Sequence, residues 1–297
     1  MSCVISRAER AAELEAWRSV RLAVVPNERC PSADELLRTA GPEKLFLLAE
    51  LDGRVVGCGV ADRSEVAGHG MVAPRVLPDA RRRGVGTALL LALAEHVEAL
   101  GFERARATVD DEGSFAFARQ FGFRETGREV EQVRVVGNDE PPAEPMPGIE
   151  LVSLADRPEL ASRTYDELAA EALADVPVEP PLEITAADWE REWLTSPETT
   201  VLALADGAIV GYAALERDED VPWRGGHSVT AVRRDWRRRG VASALKQELI
   251  SLASANGLRE LYTWTQEGND GMRRVNERLG YVARGVGVFL AADLPLE

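Results

Sequence analysis

The sequence predicts an α/β fold of mixed, α+β-like character built twice in tandem, each copy a mostly antiparallel twisted sheet flanked by helices. Three observations carry this. "RRRGVGTALL" (Arg81–Leu90) returns as "RRRGVASALK" (Arg237–Lys246) about one domain length later. The same order of apolar periodicities and turn signals surrounds both stretches. Between them, "GNDEPPAEPMPG" (Gly137–Gly148) carries prolines and acids and almost nothing to bury, the composition of a semi-extended linker. The expected division is a first domain over 1–136, a linker over 137–148 and a second domain over 149–297, and 297 residues exceed what one core usually organises.

In the first half, "AERAAELEAWRSVRLAV" and "SADELLRTA" have helical periodicity, the second with Ser32 placed as N-cap and Glu35 at the capping-box position. "KLFLLAELDGRVVGCGVA" is two apolar runs around Asp52-Gly53, the strongest short hairpin signal. "MVAPRVLP" is a strand running into the arginine triplet, and Val85, Leu89, Ala92, Leu93, Val97 and Leu100 then form the apolar stripe of a helix. Strand "RARATV", short helix "SFAFARQF", Gly122 and a closing strand pair over "FRETGREVEQVRVV" complete the half.

The second half repeats these events. "IELVSL" is a strand, "PELASRTYDELAAEAL" and "AADWEREWL" are helices, and "TTVLALADGAIVGYAAL" is a hairpin around Asp206-Gly207. "HSVTAV" enters the second triplet, with Val241, Leu245, Leu249 and Leu252 as the stripe of the following helix. "LRELYTW", "GMRRVNERL" and Gly280 then lead to the closing strands.

Composition narrows the function classes. The net charge is −15, and it is uneven: residues 1–136 hold 19 basic and 21 acidic side chains, residues 137–297 hold 16 and 29. Such a surface repels nucleic acid and membrane phosphate and attracts cations. No run approaches the ~18 apolar residues of a membrane span, and "MSCVISRAERAAELEAW" lacks a basic segment followed by an apolar one, so a cytoplasmic protein is expected. Cys3, Cys30 and Cys58 are three thiols without C-x-x-C spacing, which argues against a disulfide framework or a zinc site.

The arginine triplets pose an electrostatic question. A helix amino end already carries about half a positive charge and unpaired N–H groups, so three cations there are unfavourable unless an anion joins them. A strand, a glycine turn and a helix start together form such an anion site. Gly84 and Gly240 leave the backbone accessible, and the arginines act as phosphate clamps. Neither half has the Walker sequence or a third glycine for a dinucleotide fingerprint.

The turns resemble those of the GNAT superfamily of acyl-CoA-dependent N-acetyltransferases, whose signature [QR]-x-x-G-x-[GA] follows the fourth strand. It reads Arg81-Arg82-Arg83-Gly84-Val85-Gly86 in one half and Arg237-Arg238-Arg239-Gly240-Val241-Ala242 in the other. Each is followed about 40 residues later by a short helix ending in "FGF" or "LGY". The resemblance covers nearly the whole chain and implies acetyl-CoA as co-substrate, bound through these residues with Thr87 and Ser243 in the first helical turns. It also implies backbone donors near Val76 and Val232, and Asn269 as a pantetheine contact or a plain N-cap where the first half has Asp111.

The resemblance further implies direct attack of an amine on the thioester, without an acyl-enzyme. Many members have a tyrosine acid five residues before the aromatic of the glycine-aromatic pair; Ala118 and Asn276 stand there instead. Asn276 remains a hydrogen-bonding candidate. From the residues themselves, Glu216 is a candidate base because strand alternation after Asp206-Gly207 directs it to the cleft, and His227 because imidazole titrates near neutrality. His69 and His96 read as structural. The expected protein is an acetyltransferase for a small-molecule amine, monomeric or homodimeric, with no nucleic acid, membrane or metal, and its second domain is favoured for turnover. Two alternatives stay open: a non-catalytic acyl-CoA-binding or regulatory protein, and a transferase for protein amino termini or lysines.

Overall fold

A computed structural model describes residues 3–26, 30–175, 184–218 and 221–296. The chain forms two compact units, Met1–Arg128 with Gly287–Glu297, and Glu129–Val286.

In the first unit, strands β1 (Cys3–Arg7), β2 (Leu45–Leu51), β3 (Arg54–Arg63), β4 (His69–Val76) and β5 (Arg104–Val109) lie side by side in that order. Only β4 and β5 run parallel. Asp52 and Gly53 take φ of 55° and 78°, the paired left-handed values that a two-residue hairpin requires. Helices α1 (Ala11–Val24) and α2 (Ala33–Thr39) bury Leu14, Trp17, Val20 and Leu36 on one face of β2 and β3. The Ser32 hydroxyl caps α2 by accepting the Glu35 N–H at 3.2 Å. Helix α3 (Val85–Ala99) covers the opposite face with Val85, Leu89, Leu93 and Val97, and α4 (Glu112–Arg119) adds Ala118 to that core. Cys58 is fully buried, and burial pushes its thiol up to about 12.

The closing strand of this sheet comes from the far end of the chain. Strand β6 (Arg124–Val135) carries the second unit's pairing from residue 129, while residues 288–293 of the last strand, β12 (Val282–Asp293), run antiparallel to β5. Leu290 and Ala292 thereby join the first unit's core. The expected division at 136 and 149 follows chain order, whereas the compact units exchange their closing strands. Pairing is decided by free sheet edges and matching register, not by nearness in sequence, and the closing segments of the two halves meet equivalent edges.

The second unit repeats the plan with β7 (Glu150–Ser153), β8 (Thr200–Ala205), β9 (Ala208–Arg217), β10 (Arg224–Val232), β11 (Glu260–Gln266) and residues 129–135 of β6. The parallel pair is β10–β11. Helix α7 (Val241–Ala255) lays Val241, Leu245, Leu249 and Ala253 on one face, and α8 (Asp270–Arg278) follows β11. On the other face, wide turns at Tyr165–Ala169 and Trp189–Trp193 extend α5 (Ala170–Ala174) and α6 (Ala186–Asp188). Trp189 is buried there, 5.1 Å from the Tyr212 ring, with its indole N–H on Thr164 Oγ1 at 2.8 Å.

The segment 137–148 has no helix or strand, yet it is fastened along α7. Gln247 donates to the Pro141 carbonyl at 2.7 Å, the Ala143 N–H to Glu248 at 2.9 Å and Ser254 to the Gly137 carbonyl at 2.8 Å. Among the described residues, no helix is long and apolar enough to cross a membrane.

Candidate functional site: two glycine turns and a parted strand pair

The two arginine turns have the same backbone. Arg82 and Arg238 both take φ of 61°, and Gly84 and Gly240 follow at 82° and 90° as the N-caps of α3 and α7. A residue with a Cβ is strained at such φ, which accounts for glycine in both places. No side chain caps either helix, and a Cβ at Gly84 would meet nothing within 4 Å. The first arginine of each triplet turns back on its strand: Arg81 Nε donates to the Val76 carbonyl at 3.2 Å, and Arg237 Nε to the Val232 carbonyl at 2.8 Å. Arg83 reaches Asp52 at 3.0 Å, and the Arg239 guanidinium lies over Trp236 at 4.8 Å.

Open helix starts, positive-φ glycines and arginines already bent toward the strand end fit a pyrophosphate. Val85 and Val241 are buried, so only their backbone is available to a ligand; Gly86, Thr87, Ala242 and Ser243 are half-buried in the first turns.

Beyond each turn the sheet is parted. Pairing of β4 with β5 stops after Met71, and that of β10 with β11 after Gly226, so the remainder of each fourth strand leaves its neighbour. Leu77 N–H donates to Val56 O and Arg233 N–H to Val210 O, which fixes the alternation of the antiparallel ladder. Val76 and Val232 accordingly turn their N–H groups toward the gap, and so do the positions two residues earlier. Those positions differ: the first unit has Pro74, opposite Gly59, and the second has Thr230, opposite Ala213. Proline has no N–H to offer.

The fourth strands differ in a second way. In β4, Val72, Ala73 and Pro74 step evenly against Ala61, Val60 and Gly59. In β10, His227 opposes Leu215 and Thr230 opposes Ala213, so Ser228 and Val229 share one partner in a β-bulge. A bulge bends the strand and re-aims its backbone groups. At the closed end of this gap Arg224 is buried, with Nε on Glu260 at 2.9 Å, Asp218 and Glu131 each at 3.4 Å, and its plane 4.0 Å from the Tyr262 ring centroid.

The candidate catalytic residues are dispersed by this geometry. His227 shares the α7 face with Leu215, whereas Glu216, one residue on, lies on the face of Tyr212 and Ala214. The two do not form a pair. Asn276 is fully buried; its amide nitrogen donates to Gln132 Oε1 at 2.9 Å and Thr265 Oγ1 at 3.3 Å, tying α8 to β6 and β11. Asn269 is an N-cap, its Oδ1 accepting the Met272 N–H at 3.2 Å, as Asp111 accepts that of Ser114 at 2.9 Å. His69 and His96 are held by carbonyls of Ala67 and Glu43, both at 2.8 Å.

His227 does not titrate near neutrality: burial, and after it the Lys246 ammonium, push it well below the ordinary imidazole value. Its Nε2 lies 2.5 Å from the Tyr281 hydroxyl, and Lys246 Nζ stands 5.5 Å from the Tyr281 ring centroid. Sequence reasoning passed over Lys246 and Tyr281. The signal was available in the comparison of the halves, where Leu90 and Phe123 hold the matching places. Asp175, 2.6 Å from Arg237, left no local signal because 62 positions separate them.

The family model "Acetyltransferase (GNAT) family" matches residues 11–123 and again 162–281. A mycothiol acetyltransferase of Brachybacterium faecium is 29% identical over 236 residues, 76% of this chain and 69% of the relative. A GCN5-related N-acetyltransferase from Sphaerobacter thermophilus superposes with a TM-score of 0.78 at 23% identity, over 98% of this chain and 95% of that one. A tandem GNAT protein from the clavulanic acid biosynthesis pathway does so with 0.78 at 21%, over 98% of both chains. With two glycine turns of one geometry, each behind a parted strand pair, the chain belongs to the GNAT acetyltransferase family as a tandem N-acetyltransferase.

Proposed function

We propose that the chain transfers the acetyl group of acetyl-CoA to the primary amine of a small molecule, and that the second domain carries turnover. The observation that supports the assignment to the second domain is the pair Pro74 and Thr230. An oxyanion forming on the thioester needs a preset N–H donor, and of the two N–H groups turned to the gap beside β10, at Thr230 and Val232, the one at Thr230 stands next to the bulge. Beside β4 the first of these is replaced by a proline nitrogen.

The amine attacks the thioester carbon directly. Nitrogen to carbon bonding and carbon to sulfur cleavage leave the acetyl group on nitrogen and the electron pair on sulfur. The glycine turn and arginines hold the nucleotide end, so the chain's task at the reacting end is alignment and stabilisation of the negative charge. Glu216, on the face of Tyr212, is suited to attracting a cationic amine and accepting its proton through water.

A cationic acceptor agrees with the acidic surplus of residues 137–297. The similarity to a mycothiol acetyltransferase supports trying small-molecule acceptors first. We take the protein to work in the cytoplasm as a monomer or homodimer, without nucleic acid or membrane. For the first domain a binding role without turnover is favoured by Pro74 and by Phe117, whose ring stands within 3.5 Å of where a Cβ on Gly86 would be.

The test is acetyl transfer to an amine panel that includes the acceptor used by mycothiol acetyltransferase. Gly84→Asp and Gly240→Asp each set a carboxylate where the pyrophosphate belongs. Turnover lost with Gly240→Asp and kept with Gly84→Asp is expected; the reverse pattern assigns turnover to the first domain. No transfer to any amine, with CoA still bound, returns the protein to the acyl-CoA-binding class.

A further inference from the structure

Lys246, Tyr281 and His227 put three polar side chains where the first domain has only hydrocarbon. Leu90, Phe123 and Val72 occupy the matching places, and all three are buried in the first core. The match is set by position after the glycine turn, by the glycine-aromatic pair, and by register against the third strand. Leucine, phenylalanine and valine fill this volume well, so burying an ammonium, a phenol and an imidazole instead carries a desolvation cost without a packing return.

The arrangement defines a state for the imidazole. Lys246 is 1% and Tyr281 2% exposed. The buried phenol needs an acceptor for its proton, and His227 Nε2, 2.5 Å away, serves as one in the tautomer that leaves the hydroxyl satisfied. That leaves the proton of the neutral ring on Nδ1, which is buried and has no protein partner. Burial opposes a second proton on the ring, and Lys246 adds to this while it is charged. The ring is a fixed neutral N–H donor, poorly suited to be a base.

Its place is equally specific. His227 is the first residue of β10 beyond the pairs with β11, and the bulge follows it directly. From there to Val232 the bulged strand advances by the four steps of β9 between Leu215 and Gly211, about 3.3 Å each and about 13 Å in all, within the reach of an extended pantetheine arm. A ligand with its pyrophosphate on the Arg237–Gly240 turn brings its thioester to this end of the gap.

We propose that His227 is a catalytic residue of the second domain, its Nδ1–H bonding to the thioester sulfur as negative charge builds on it, with Tyr281 as the positioning residue that fixes the ring's tautomer and Lys246 packed beside that phenol. The inference rests on the reading of the second domain as the acetyl-CoA site. As the amine bonds to the carbonyl carbon, the carbon to sulfur bond breaks and its electron pair passes to sulfur. The imidazole keeps its proton throughout; the ammonium formed on the acceptor loses its proton to water, and the thiolate is later protonated by water. A neutral histidine polarising a substrate in this way is sound chemistry, because a preset donor costs no reorganisation.

The test uses the free thiol of CoA as probe, in full-length protein carrying Gly84→Asp so that the second site alone is filled. Affinity is measured by calorimetry, and the thiol's titration by the pH dependence of its alkylation, read as alkylated CoA by mass. The charged groups around the cluster besides Lys246 are Arg134 and Glu140, which act on Tyr281 in opposite senses and are paired at 2.8 Å. With His227 present the bound thiol is expected to be about tenfold more acidic than free CoA, the scale of one hydrogen bond to a charged group. His227→Val removes that shift with affinity kept, and Tyr281→Phe reduces it. Where a single variant fails to fold, the set His227→Val, Lys246→Leu and Tyr281→Phe, which copies the first core, decides. A titration equal in parent and variant overturns the proposal alone; absence of CoA binding to the parent overturns the second-domain reading and the proposal with it.

Discussion

Asp175 holds Arg237 at 2.6 Å and bonds Arg234 at the same time, so a carboxylate from the α5 end engages the first arginine of the second anion turn. The Arg234 hydrogen bond, with Arg237 beside it, holds the Asp175 carboxyl down at about 2. The contact is therefore whole above the ordinary carboxylate range near 4 and is lost only as the pH falls through about 2. A phosphate arriving at the turn competes with it. Asp175→Asn should raise CoA affinity at the second site a few-fold at low salt, within the modest range of an exposed pair, with the gain fading as salt is added. Calorimetry at two salt concentrations measures this, and the gain should be equal at pH 6 and pH 8. Weaker binding in the variant would instead make Asp175 a support of the turn.

Thr230→Pro tests the backbone donor. The first domain shows that the fourth strand accepts proline at this register position, with Pro74 opposite Gly59, so the variant should fold. Loss of one donor to a developing oxyanion typically costs about 10²–10³ in kcat. We expect that loss with little change in CoA affinity. A variant with unaltered kcat would show that Thr230 N–H faces no reacting atom.

Lys246 gives the second domain a distinctive pH response. Burial brings its ammonium down to about 7 from an ordinary value near 10.5, so between these limits the unfolded chain binds a proton that the folded chain does not. Stability rises with pH wherever the unfolded state holds more protons. The second domain should accordingly gain resistance to urea from pH 7 to pH 10. Above that, Tyr281, whose phenol is raised by burial, turns the trend downward. Lys246→Leu, the residue of the first domain, should flatten the rise and increase stability at pH 7. Urea midpoints across the range measure both effects, and an unchanged slope in the variant would assign the response elsewhere.

Local physics explains what the sequence disclosed and what it withheld. The Asp-Gly hairpins, the glycines before α3 and α7, the Ser32 cap and the apolar stripes rest on interactions within a few residues, and each is found where expected except Leu100, which is exposed at the end of α3. Glu216 and His227 were both legible as candidates, but their placement on opposite faces depends on strand register, which alternation within one strand does not supply. The bulge at Ser228 and Val229 has no marker in "GGHSVTAV". Nothing in the sequence marks Lys246 as buried, because Tyr281, whose ring centroid lies 5.5 Å from its Nζ, is 35 positions away. Adjacency in the sequence puts each closing strand in its own half, and pairing energy does not follow adjacency.

The last prediction concerns that exchange of strands. Leu290 is fully buried in the core that contains Leu89, Leu93 and Phe123, and it stands opposite Ala107 of β5. It is thus a core residue of the first unit although it is encoded at the end of the second half. Leu290→Ala should leave a cavity and cost about 2–5 kcal/mol, the usual range for a buried leucine. The cost should fall on the elements of residues 3–128, because Leu290 lies in their core. Hydrogen exchange read by mass spectrometry is the direct measurement. Protection should drop in β2 to β5 and α3, while β8 to β10 and α7 keep theirs. Loss confined to residues 149–286 would mean that the last strand closes its own half, and the compact units would then follow the order of the sequence.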